Sequence, residues 1–105
     1  MDEKVECKIG CIKANADEAS ALLRALSNKR RLLIICAISH GECCVGDLEK
    51  KIGISQSALS QHLAKLRDEK LVTTRRHAQT IYYSISSPAV AELMATLSKI
   101  YGTQK

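Results

Sequence analysis

Gln56, Ser57, Ser60 and Gln61 are short polar side chains whose spacing gathers them on one face of a helix. Their chemistry is hydrogen bonding to base edges. A Gln amide pairs two-pronged with adenine, and a Ser hydroxyl donates to or accepts from almost any base in a major groove. On the opposite face Leu59, Leu63 and Leu66 repeat at i, i+4 and i+7, which locks the same helix into a core. Ser55 suits the N-cap, so Gln56 and Ser57 stand at the positive end of the helix dipole, aimed at phosphate. Lys65 and Arg67 follow where they would meet the DNA backbone, adding affinity without sequence information. His62 lies beside the polar face, as a hydrogen-bond donor rather than a metal ligand. Taken alone, this pattern also fits a solvated helix, so its neighbours must decide.

Before it comes a short helix at Val45–Lys51, with Val45, Leu48 and Ile52 inward, closed by Gly53 where a tight turn between helices wants a glycine. After it come two β-branched strands, Leu71–Thr74 and Thr80–Ile85. They are joined by residues 75–79, whose Arg75, Arg76 and Gln79 suit a minor groove or flanking phosphates. Upstream, a first helix starts at Asn15, with Glu18 three residues on, and its apolar face is Ala19, Leu22, Leu23 and Leu26. A second is capped by Asn28. Its stretch Leu32–Ile38 is apolar on every side, which predicts burial all round. A fifth helix opens at Ser87-Pro88 and carries an apolar face of Val90, Leu93, Met94, Leu97, Ile100 and Tyr101, too long for one small chain to cover. The expected fold is mainly α with a β-hairpin wing, a winged helix-turn-helix. Residues 1–14 read as a flexible N-terminal tail and residues 15–105 as one DNA-binding and dimerisation domain.

The bulk composition agrees with this reading. A chain of 105 residues buries a limited share of its surface, which favours an obligate dimer. The net charge of +5 suits a polyanionic partner and is unevenly placed. Residues 55–85 hold Lys65, Arg67, Lys70, Arg75 and Arg76 against Asp68 and Glu69. Residues 1–20 hold Lys4, Lys8 and Lys13 against five acids. No segment reaches the ~18 apolar residues of a membrane span. The N-terminus lacks a signal-peptide pattern, so a cytoplasmic location is expected. Five cysteines there are not read as a disulfide framework. No Ser/His/acid set, carboxylate pair or Gly-rich phosphate loop stands at a usable spacing, so the chain is not read as an enzyme.

The run Ile54-Ser55-Gln56-Ser57-Ala58-Leu59-Ser60-Gln61-His62-Leu63-Ala64-Lys65-Leu66-Arg67, preceded by Asp47-Leu48 and followed by Leu71-Val72-Thr73-Thr74-Arg75-Arg76 and Gln79-Thr80-Ile81-Tyr82-Tyr83, resembles the ArsR/SmtB family. The resemblance covers roughly Leu22 to Gly102. It implies a homodimer built on the first and fifth helices that binds an inverted repeat in double-stranded DNA and usually represses. Members commonly release DNA when a metal or an oxidant reaches cysteines.

The resemblance gives the cysteines three readings, none of which requires a cofactor. Cys44-Val45-Gly46-Asp47-Leu48 is similar to the Cys-Val-Cys-Asp-Leu metal motif of arsenic and cadmium sensors, with Gly46 in place of the second cysteine. Cys44 also precedes a helix, where the dipole favours thiolate. Cys7 and Cys11 have the Cys-x-x-x-Cys spacing of cadmium and lead sensor tails. Together with Cys44 and Cys43 they could hold a soft ion such as Cd(II), Pb(II) or As(III). A second reading gives Cys43 and Cys44 an oxidation or reactive-sulfur role. Cys36 sits where redox members of the family carry half of a cysteine pair, but Gly102 stands at the other half, so Cys36 reads as a small buried apolar residue. A third reading has no small effector. The fifth helix has no His, which argues against the Zn(II) site that zinc-sensing members place there. An alternative of another class is a thiol-based metal-binding or redox protein that keeps a winged-helix scaffold.

Overall fold

A computed structural model describes residue 10 and residues 12–102. Among the described residues the main elements follow in the order α1 (Ala16–Leu26), α2 (Lys29–Ser39), β1 (Cys43–Cys44), α3 (Val45–Ile52), α4 (Gln56–Asp68), β2 (Val72–His77), β3 (Thr80–Ile85) and α5 (Pro88–Tyr101). The tail reading of residues 1–14 falls mostly outside the described residues. Residues 12–14 are helical. The Asn15 amide donates to the Ile12 carbonyl (3.1 Å), so the helical path begins before α1, and the Asn15 side chain makes no cap on it.

The cap expected for α2 is present. Asn28 Oδ1 accepts from the Arg30 and Arg31 amides at 3.0 and 3.1 Å. All-round burial of α2 is not. Ile34, Ile35 and Ile38 are buried, but Leu33 is 44% exposed and Cys36 is exposed. Leu33, Cys36 and His40 share the stripe turned away from the core, because the helix is packed from one side within the chain. Cys36 is therefore not the buried apolar filler that its neighbours suggested.

α3 and α4 meet at Gly53, whose φ of +79° a side chain would strain. The Gly53 amide donates to the Glu49 carbonyl at 2.8 Å, closing α3. α4 starts on Ser55, whose Oγ accepts from the Ala58 amide at 3.2 Å. It ends in a Schellman turn. The Leu71 amide reaches back to the Leu66 carbonyl (3.0 Å) and the Lys70 amide to the Arg67 carbonyl (2.9 Å), with Lys70 in the left-handed region at φ +64°. Leu66 and Leu71, the apolar pair of that motif, are both buried. Leu59, Leu63 and Leu66 are buried against a core that includes Ile34, Leu48 and Val90.

β2 and β3 form an antiparallel hairpin from Val72↔Ile85 to His77↔Thr80, joined through Ala78 and Gln79. β2 thus runs three residues beyond Thr74, the end that its β-branched residues suggest. Arg75, Arg76 and His77 lack β-branching, but pairing to Tyr82, Ile81 and Thr80 holds them in the ladder. β1 adds a third strand beside β3, with Cys43↔Tyr83 and Cys44↔Tyr82. A two-residue strand has no alternation to read, so no sequence pattern marks it. α5 is capped by Ser87 Oγ, which accepts from the Val90 amide at 3.2 Å, with Pro88 in its first turn. No helix among the described residues is long and apolar enough to cross a membrane.

Candidate nucleic-acid interface

The Gly53 turn and the buried leucines fix how α4 sits. Its other face is open: Gln56, Ser57, Ser60 and Gln61 are all exposed, and Lys65 and Arg67 continue on the solvent side. The structure therefore brings together six of the ten residues assigned to DNA contacts, two at the capped helix N-terminus.

The wing is arranged differently from the sequence reading. Arg75 lies inside β2, not at a tip. Its Nε and Nη2 donate to the Glu42 carboxylate at 2.9 and 2.8 Å, and its guanidinium stands over the Tyr82 ring, 4.9 Å from the centroid. The hydrogen bond from Arg75 is the main reason the Glu42 carboxyl is held below its ordinary pKa; charge attraction adds to it and desolvation opposes it. A two-pronged ion pair stacked on an aromatic ring ties Arg75 to the loop before β1, while its side chain stays 53% exposed. Arg76 and Gln79 remain exposed near the hairpin end. Glu42 was missed because it stands 33 residues from Arg75, with no local pattern linking them.

His62 is also tied into the fold. It is partly buried, and its Nδ1 accepts from Arg31 Nε at 3.3 Å, joining α4 to α2 and leaving the ring's Nε2–H as its donor. Desolvation first, then the charges of Arg31 and Arg30, push its pKa below the ordinary 6.5. The unfolded chain therefore binds this proton before the folded one does. Stability from this group is fully present above pH 6.5 and falls as pH drops below it toward the folded value. Urea midpoints measured from about pH 7 to pH 5 should decline more steeply for wild type than for His62→Gln, whose amide oxygen still accepts from Arg31. Parallel curves would mean that His62 is not the titrating group.

The described cysteines do not converge. Adjacent strand residues point to opposite faces. Cys43 is buried, with Sγ 3.5 Å from the Gly41 carbonyl and 3.7 Å from Lys51 Nζ. Cys44 is partly exposed on the other side. These two adjacent thiols therefore face opposite sides of the strand, so Cys44 alone of the two stands open to solvent. A Cβ built on Gly46 would lie 4.0 Å from Cys44 Sγ, so the missing second cysteine would have stood beside the first. Cys7 and Cys11 lie outside the described residues. Among those described, no three metal-ligating side chains cluster.

A sequence model for bacterial regulatory proteins of the arsR family matches residues 28–74, from the cap of α2 into β2. The nodulation protein NolR of Rhizobium meliloti is 54% identical over 88 residues, covering 84% of this chain and 72% of its own length. The chain belongs to the ArsR family. Its fold agrees with solved ArsR-type regulators. Reduced HlyU from Vibrio cholerae superposes with a TM-score of 0.83 at 44% identity, covering 89% of this chain and 97% of HlyU. The transcriptional repressor BigR from Xylella fastidiosa gives 0.84 at 38% identity, covering 90% and 97%. Within the ArsR-family frame, α3 and α4 are the helix-turn-helix and β2–β3 the wing. The protein is a transcriptional regulator, and its fold class, family and regulatory role stand as the sequence implied them.

Proposed function

We propose that this ArsR-family protein is a homodimeric repressor that binds an inverted repeat in double-stranded DNA. α4 lies in the major groove and the wing follows the flanking minor groove. The observation that carries the reading is the two-faced α4: three leucines wholly buried, and Gln56, Ser57, Ser60 and Gln61 open to solvent at the opposite side. Gln56 and Ser57 face bases; Lys65, Arg67 and Arg76 hold the backbone; and Arg75 positions the wing through Glu42. α1 and α5 supply the dimer contact. They share an apolar cleft lined by Leu22, Leu23 and Leu93; Leu23 within it and Ile100 beyond it are 58% and 59% exposed. Dimers reading two equivalent half-sites are the usual solution for helix-turn-helix proteins.

A binding assay on the promoter region of the protein's own gene tests the reading. Gln56→Ala and Ser57→Ala should each lose about 1–3 kcal/mol of preference for that duplex over an unrelated one, with folding intact. Unchanged preference in both would remove the assignment of α4.

Release of the operator by a thiol-directed oxidant or reactive sulfur species belongs to the same proposal. Among the described cysteines, Cys36, exposed on the outer stripe of α2, is the one most open to such a reagent. This exposure favours that signal over a soft metal ion at the described cysteines. Titrating the wild-type complex with peroxide or persulfide should free the DNA, and Cys36→Ser should resist. Equal release from both proteins would place the signal at another cysteine.

A further inference from the structure

α2 begins with Lys29, Arg30 and Arg31, and no Asp or Glu occurs between Ala19 and Gly41 to offset them. Lys29 and Arg30 are exposed, and neither has an acidic partner among the described residues, where Arg75–Glu42 is the ion pair present. Arg31 is built into the fold. Its Nη1 donates to the Ala25 carbonyl at 3.3 Å and its Nε to His62 Nδ1 at 3.3 Å. That second bond joins the basic end of α2 to the middle of α4. Lys29, Arg30 and His62 line, together with Ile52, Gly53 and Ile54, a cleft of about 590 Å³. The cations thus stand across this cleft from the turn that introduces Gln56 and Ser57. Asn28 already occupies the Arg30 and Arg31 amides, so the attraction comes from side-chain charge rather than free helix N–H groups. Unneutralised charge beside a low-dielectric wall focuses its field outward over that edge.

We propose that Lys29 and Arg30 are a second phosphate clamp, gripping the DNA backbone beside the bases that α4 faces. Arg31 and His62 act as positioning residues that hold the clamp at a fixed distance from the reading helix. The inference rests on the DNA reading of α4 and adds contacts that carry no sequence information.

The test uses the full chain and two labelled duplexes of equal length, one enriched by the wild-type protein from a random pool and one unselected. Affinity is measured across a salt series. Lys29→Ala/Arg30→Ala should flatten the slope of log K against log salt by about 0.9 for each phosphate that is no longer neutralised. The change should be the same on both duplexes and leave their affinity ratio unchanged. Lys29→Arg/Arg30→Lys keeps the charge and should keep the slope. Gln56→Ala should do the reverse of the alanine pair, lowering the ratio while the slope holds. The single variants Lys29→Gln and Arg30→Gln should each show part of the flattening, which keeps the test decisive if the double variant folds poorly. A wild-type slope in the charge-removing variants overturns the clamp, as does a changed ratio at constant slope. A wild-type protein that enriches no duplex overturns the reading of α4 instead, and the two failures are thereby told apart.

Discussion

Leu63→Ala is expected to cost about 2–5 kcal/mol of folding stability. Leu63 is 1% exposed and packs with Leu59 and Leu66, both wholly buried, under the open face of α4. Truncation removes three methyl or methylene equivalents from a closely packed core and leaves a cavity behind. Small domains have about 5–15 kcal/mol in total, so this one change removes a large share. It also frees α4 to rock on its seat, and DNA affinity should fall beyond what partial unfolding explains. The measurement is chemical denaturation at fixed protein concentration, because a dimer's apparent stability depends on concentration. Ser60→Ala, one turn away on the open face, is the control and should stay within about 0.5 kcal/mol. A Leu63→Ala cost no larger than that of Ser60→Ala would show that the helix is not seated as described.

Leu23→Glu is expected to separate the subunits and weaken operator binding by about 10²–10⁴, the advantage that disappears when two linked half-sites become independent. Within its own chain α1 packs chiefly on α2, and Leu23 is 58% exposed, so a carboxylate there costs the monomer's fold little. In a dimer the same carboxylate would be buried without a partner, which is strongly unfavourable. Sedimentation should report a wild-type dimer and a variant monomer, with the melting curve of the variant still cooperative. Arg24→Ala is the neighbouring control, since Arg24 hydrogen-bonds to Ser20 on its own helix. A dimeric Leu23→Glu protein with wild-type affinity would move the subunit contact away from α1.

Both predictions lean on features with a local signature. The 3.6-residue repeat of Leu59, Leu63 and Leu66 is written in thirteen consecutive residues of α4, and it fixes which side is open as surely as which side is buried. Ser55, Gly53, Asn28 and Ser87-Pro88 marked helix ends correctly, because caps and left-handed turns are decided by a residue and its nearest amides. Asn15 misled because its side chain can cap a helix and yet need not, when the chain before it is already helical. Leu32–Ile38 misled for another reason: apolar composition shows what a helix could bury, while the number of neighbours decides what it does bury.

What the sequence determined by itself was therefore the order of the five helices and the hairpin, the two faces of α4 and the family of regulators to which the chain belongs. Tertiary structure alone decided the contacts between distant positions. Arg75 was paired with Glu42 and stacked on Tyr82, His62 was bonded to Arg31, and Cys43 was buried while Cys36 was left exposed. Periodicity and capping act over a few residues, so a sequence displays them directly. An ion pair or a hydrogen bond spanning more than thirty residues exists only once strands and helices have packed, and nothing in the intervening chain records it.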